Sequence, residues 1–222
     1  MYLGPVGLLF VSDMEELQEE LNTFAWDVVE RNITNARLVW TDEREYKSFE
    51  RVFVASVNSL QRKHRDLQTI TVLEAIADTI STVQDHASIN DLCVLFQRIA
   101  NQRYNGNDIN FKQLVFSKDL WAFVDWFVRL ALHDKSAIMH NMQRRNTFIR
   151  EFFEDVHALL VRHQTMRFRI IMNSLARRVN IIHDHNHDYL CDLFQKVVDA
   201  YPNQATVNGY NFRRYAQTQR SG

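Results

Sequence analysis

The residues best equipped for chemistry crowd into His183-Asp184-His185-Asn186-His187-Asp188, followed by Cys191 and Asp192. On one continuous helix, His183, His187 and Cys191 would sit one turn apart on a single face. Imidazole and thiolate in that arrangement can hold zinc. The stretch carries none of the standard zinc spacings, however. The plainer expectation is a polar connection between two helices, capped by Asp184 or Asp188, with Cys191 in the core. His133-Asp134 and His183-Asp184 each supply the doublet of a His-Asp phosphohydrolase. Neither has the further His and the distant Asp that would complete such a site. A metal-dependent hydrolase using the 183–188 cluster is therefore the second alternative among function classes.

Basic residues form the other candidate. Arg144-Arg145, Arg177-Arg178 and Arg213-Arg214 join Arg150, Arg162, Arg167 and Arg169 in the C-terminal part of the chain. Guanidinium groups at this density can neutralise phosphates, and the interleaved Phe148, Phe168, Tyr210, Phe212 and Tyr215 could stack on bases. Adjacent arginines on a helix point about 100° apart, so they cannot all share one patch. The competing expectation is a solvated face, with Phe148 and Phe168 in the core. Arg144, Arg145, Arg169, Asn173, Arg177, Arg178, Arg213 and Arg214 are the residues through which RNA or a protein partner would be held. A pI of about 6.8 argues against a strong, autonomous nucleic-acid binder.

Several other chemistries find no support. Five glycines provide no P-loop, dinucleotide fingerprint or Gly-x-Ser-x-Gly elbow. Di-iron carboxylate bundles need Glu-x-x-His on each of two helices, which the chain does not supply. Cys93, in Leu92-Cys93-Val94-Leu95-Phe96, reads as a core residue and not a nucleophile. No cofactor is expected.

The elements that must position these residues are helices. No Pro occurs between Pro5 and Pro202, and only Gly106 lies between Gly7 and Gly209. A β-rich domain would need many more turn residues. Ser, Thr and Asp recur instead at plausible helix starts: Ser12-Asp13-Met14-Glu15 as a capping box, then Thr41, Ser88, Ser117 and Thr165. The pattern predicts an all-α fold of about eight antiparallel helices, near 13–31, 42–64, 69–85, 89–103, 118–132, 136–163, 166–183 and 188–200. The sixth is expected to break near Asn146-Thr147. In the seventh, Phe168, Ile171, Met172, Leu175, Val179 and Ile182 share one face, with Arg169, Asn173, Arg177 and Asn180 opposite. The fifth is apolar almost all round, which predicts a central helix whose polar ridge pairs Asp125 with Arg129. No fixed-period self-similarity stands out. Irregular helical hairpins of the armadillo, HEAT or MIF4G kind fit this pattern, as does an irregular bundle, with the balance toward hairpins.

One domain over 1–201 is expected, with a subdivision at 104–116 around Asn105-Gly106-Asn107-Asp108. A flexible basic and aromatic tail should follow over 202–222, in the manner of a linker, so the chain reads as an N-terminal fragment. Residues 1–139 carry 14 Lys and Arg against 20 Asp and Glu, and residues 140–222 carry 12 against 7. That polarity suits an anionic partner, mutual attraction of the halves, or self-association. Two distant cysteines and no basic n-region ahead of the apolar start point to a reducing compartment, cytoplasmic or nuclear, and not to secretion. The run from Leu120 to Leu132 is interrupted by Asp125 and Arg129 and falls short of the ~20 residues a bilayer requires. The leading expectation is a non-enzymatic scaffold or adaptor that binds other proteins, within an RNA-regulatory complex. Direct single-stranded RNA binding through the basic C-terminal helices is the alternative.

Overall fold

With Gly and Pro so scarce, the chain has few residues that oppose helix, and helix is what forms. The computed structural model describes residues 5–83, 85–103, 109–164, 166–182, 185–203 and 207–218. These residues form eleven helices and no strand. They are α1 (Pro5–Asn32), α2 (Ala36–Thr41), α3 (Glu43–Lys63), α4 (Thr69–Ser81), α5 (His86–Arg103), α6 (Phe111–His133), α7 (Lys135–His140), α8 (Met142–Arg162), α9 (Phe168–Asn180), α10 (Asn186–Asp199) and α11 (Phe212–Thr218). The chain divides into two compact units, Met1–Lys118 and Asp119–Gly222, with the boundary inside α6.

In the first unit α1 packs on α4, and α2 packs on both α3 and α5. The Asp42 carboxylate caps α3 by accepting from the backbone N–H of Arg44 (2.8 Å) and Glu45 (3.0 Å). Tyr46, Phe53 and Val57 then recur on one buried stripe of α3. In the second unit α7 packs on α8, and α9, α10 and α11 pack on one another. Asn141 caps α8 through the Arg144 N–H (3.1 Å), and Phe148, Phe152, Val156 and Leu159 form its buried stripe.

The second unit repeats the first element by element, which corrects the expectation of no self-similarity. Both long helices follow a six-residue helix and an extended cap residue, and both end on a His: His64 at φ −116°, ψ 89° and His163 at φ −118°, ψ 84°. The cap N–H groups bond to Leu60 O and Leu159 O respectively. The stripe Phe49, Phe53, Val57, Leu60, His64 recurs as Phe148, Phe152, Val156, Leu159, His163. The aromatic core recurs with it. Ring centroids of Phe24 and Phe53 lie 5.9 Å apart, against 5.3 Å for Phe123 and Phe152; Phe96–Phe111 and Phe194–Phe212 are both 5.4 Å apart. Leu92-Cys93-Val94-Leu95-Phe96-Gln97 on α5 returns as Leu190-Cys191-Asp192-Leu193-Phe194-Gln195 on α10.

Other expectations are corrected locally. α1 begins at Pro5, so Ser12 starts no helix. Thr41 is the last residue of α2 and donates to Arg37 O, while Asp42 does the capping. Ser88 donates to the carboxylate of Asp85, and α5 begins at His86. Ser117 lies inside α6. The break expected near Asn146 falls at Asn141, because the Asn side chain caps there. Trp121 and Trp126 are 40% and 59% exposed, so α6 is not covered all round, and Asp125 pairs with Arg178 (2.5 Å). Residues 207–218, expected in a flexible tail, bury Val207, Phe212 and Ala216. Thr165 and residues 104–108 lie outside the described residues.

Candidate functional site

The basic candidates separate into two groups. Arg144 is tied to Asp134, its Nε donating at 3.0 Å, and this holds the Asp134 carboxyl below its usual range. Arg178 is tied to Asp125, and Arg213 spans Asp188 (2.6 Å) and Asp192 (2.8 Å). These guanidinium groups hold helices to one another within the unit. Arg145 on α8 is half-buried, and Arg214 on α11 is exposed.

The other group lies on α9. Arg169, Asn173 and Arg177 follow one another at one-turn spacing on the face opposite the buried Phe168, Ile171, Met172, Leu175 and Val179. The Arg169 guanidinium stands 5.9 Å from the centroid of Tyr210, whose hydroxyl donates to Asn173 Oδ1 (3.0 Å). Tyr215 stacks on Tyr210 with centroids 5.7 Å apart. Arg169 and Arg177 are exposed, Asn173 and Tyr215 are half-buried and Tyr210 is buried, so the basic edge of this strip faces solvent. The corresponding face of α4 carries Glu74 and Asp78 where α9 carries Asn173 and Arg177.

Of the proposed metal ligands, His187 and Cys191 lie on α10. α9 ends at Asn180, α10 begins at Asn186, and His183 between them lies outside the described residues. His187 and Cys191 do share a face, with Sγ 3.9 Å from both ring nitrogens, but both are buried. Among the described residues no three His, Cys, Asp or Glu side chains gather as a metal would require. The one Glu-x-x-His spacing, Glu154 and His157 on α8, is exposed, and Glu154 faces Arg150. No helix among the described residues is long and apolar enough to cross a membrane.

A feature the sequence reading missed is a groove of about 460 Å³ in the first unit. Its floor is Phe24, Val28, Phe49 and Phe53, from α1 and α3, and Asp27, Arg31 and Glu45 stand among its lining residues. Arg31 answers Asp27 at 3.4 Å, whereas Glu45 makes no ion pair among the described residues. Val52, also in the lining, is 58% exposed. The signal was present in the sequence: at the position of Val28 the second unit carries Phe127, visible only once the two units are aligned. No known family model, curated protein or solved structure matches the chain.

Proposed function

We propose that the chain is a non-enzymatic helical scaffold that binds other proteins, in a cytoplasmic or nuclear setting and within an RNA-regulatory assembly. The observation that carries this reading is the open groove of the first unit, which combines an aromatic floor with a charged lining. Such a combination suits the side chains of a protein partner better than a small polar substrate. Three of the candidate arginines being engaged within the fold supports the same reading. The helix pairs then serve as hairpins of an armadillo-, HEAT- or MIF4G-like array, which presents helix faces to partners. The test is capture by the immobilised full chain followed by quantitative mass spectrometry, beside a broad turnover screen. A partner at near-equal stoichiometry is expected; robust turnover with no captured protein overturns the proposal.

A second reading is single-stranded RNA binding along α9, favoured by Arg169 and Arg177 beside the stacked Tyr210 and Tyr215. Titration of a labelled single-stranded RNA at two salt concentrations decides it. Binding that weakens steeply with salt and is lost in Arg169→Ala/Arg177→Ala supports it, and no binding at low salt removes it.

A further inference from the structure

We infer that the groove between α1 and α3 receives an aromatic side chain of a protein partner, with a basic residue beside it. This rests on reading the chain as a protein-binding scaffold. The two units supply the argument, because the second shows the same cavity filled. There the Phe127 ring, 1% exposed, lies 4.8 Å from Phe123, 5.7 Å from Phe148 and 4.9 Å from Phe152. In the first unit Phe24, Phe49 and Phe53 occupy the positions of those three partners, and Val28 occupies that of Phe127. A benzyl group exchanged for an isopropyl group removes most of a ring, and all four of these residues line the groove. Its surroundings are already aromatic, so a ring entering from outside finds edge and face partners like those of Phe127.

The lining differs in charge as well. The second unit has Arg144, bound to Asp134, where the first has Glu45 without an ion pair among the described residues. It has Trp126 where the first has Asp27. At these two positions the filled unit is basic and apolar where the open one is acidic, while Leu130 and Glu151 stand where the first unit has Arg31 and Val52. A Lys or Arg next to the entering ring answers Glu45, and it does so without displacing the Asp27–Arg31 pair.

The test uses the full chain with its valine methyls labelled for NMR, titrated with the peptide Ac-Arg-Phe-Arg-NH2. Saturable shifts at Val28, Val39 and Val52 are expected, and Ac-Arg-Ala-Arg-NH2 should bind about tenfold more weakly or worse. Val28→Phe restores the packing of the second unit, so it should melt no lower than the parent chain while losing the peptide. Glu45→Arg leaves the cavity intact; it should weaken Ac-Arg-Phe-Arg-NH2 and leave Ac-Gly-Phe-Gly-NH2 unchanged. Equal binding of the Phe and Ala peptides, full binding by Val28→Phe, indifference to Glu45→Arg, or no saturable shift at millimolar peptide each overturns the inference. If Val28→Phe loses the peptide yet captures the same protein partner, the groove is not the docking surface and the scaffold reading stands. If neither form captures any protein, the scaffold reading itself fails.

Discussion

Two side-chain clusters at equivalent places show how burial sets the worth of a polar contact. His163 and Asp119 are 5% and 8% exposed, lie 2.8 Å apart, and Arg162 joins them at 2.9 Å from the same carboxylate oxygen. In the first unit His64 meets Glu20 at 2.9 Å, with Lys63 beside them, but the Glu20 side chain is 31% exposed. Removing the buried carboxylate takes away a hydrogen bond that water cannot readily replace, whereas water replaces the exposed one. Asp119→Ala should therefore cost about 2–3 kcal/mol in urea unfolding, and Glu20→Ala clearly less. A larger loss for Glu20→Ala would contradict this ranking. The exposed cluster should show in pH dependence instead. Hydrogen bonds from Lys63 and then His64 hold the Glu20 carboxyl below its usual 4.5, so its stabilisation is full above pH 4.5 and drains as pH falls further. Glu16 and Glu20 push Lys63 up to about 12, so its stabilisation is full below 10.5 and fades as pH rises toward 12. Melting temperatures of the parent and Glu20→Gln chains should converge at both extremes and differ between them.

At the scale of elements, the starts of α6 and α11 are set by single side chains that bridge backbone groups. Gln97 on α5 donates to Ile109 O (2.7 Å) and accepts from Phe111 N–H (2.7 Å), which fixes the start of α6. Gln195 on α10 accepts from Phe212 N–H (2.8 Å) and so fixes α11 in the same way. Asn110 and Asn211 complete the two starts by accepting from Gln113 N–H and Arg214 N–H. Gln195→Ala should cost about 1 kcal/mol or somewhat more. It should also raise hydrogen exchange across 212–218 before the rest of its unit; unchanged exchange there would show that Phe212 alone holds α11. These bridges explain what the sequence hid. Long helices were legible from apolar periodicity, as α9 shows residue by residue. α2 and α7 are too short to display a period, and α11 lies in a polar stretch whose anchor, Gln195, is 17 residues upstream of Phe212. Local propensity carries no trace of such a tie.

For the molecule as a whole, the charge polarity seen in the sequence follows the unit boundary. Met1–Lys118 carries 12 Lys and Arg against 17 Asp and Glu, and Asp119–Gly222 carries 14 against 10. The all-α class was legible because it depends on what is missing, Pro and Gly. The duplication was not, because what the units share is mostly buried while their surfaces have diverged: Glu74 and Asp78 stand against Asn173 and Arg177, and Glu45 against Arg144. Insertions in the last loop also shift the spacing, so Phe96 and Phe194 are not separated by the same interval as Phe111 and Phe212. The groove was hidden for the same reason, since Val28 looks ordinary until Phe127 is set beside it. One shared feature makes the pair of units separable by experiment. Cys93 and Cys191 occupy the same position in the two copies, both are buried thiols outside any disulfide, and burial pushes the Cys93 thiol up to about 11. The native chain should leave both unlabelled by a brief pulse of an alkylating reagent, and the denatured chain should take up label at both. Between those limits, in intermediate urea, each thiol is a clock for its own half. Peptide-resolved mass spectrometry would then read two opening rates from one unmodified polypeptide, and identical rates at every urea concentration would mean that the halves open as a single cooperative body.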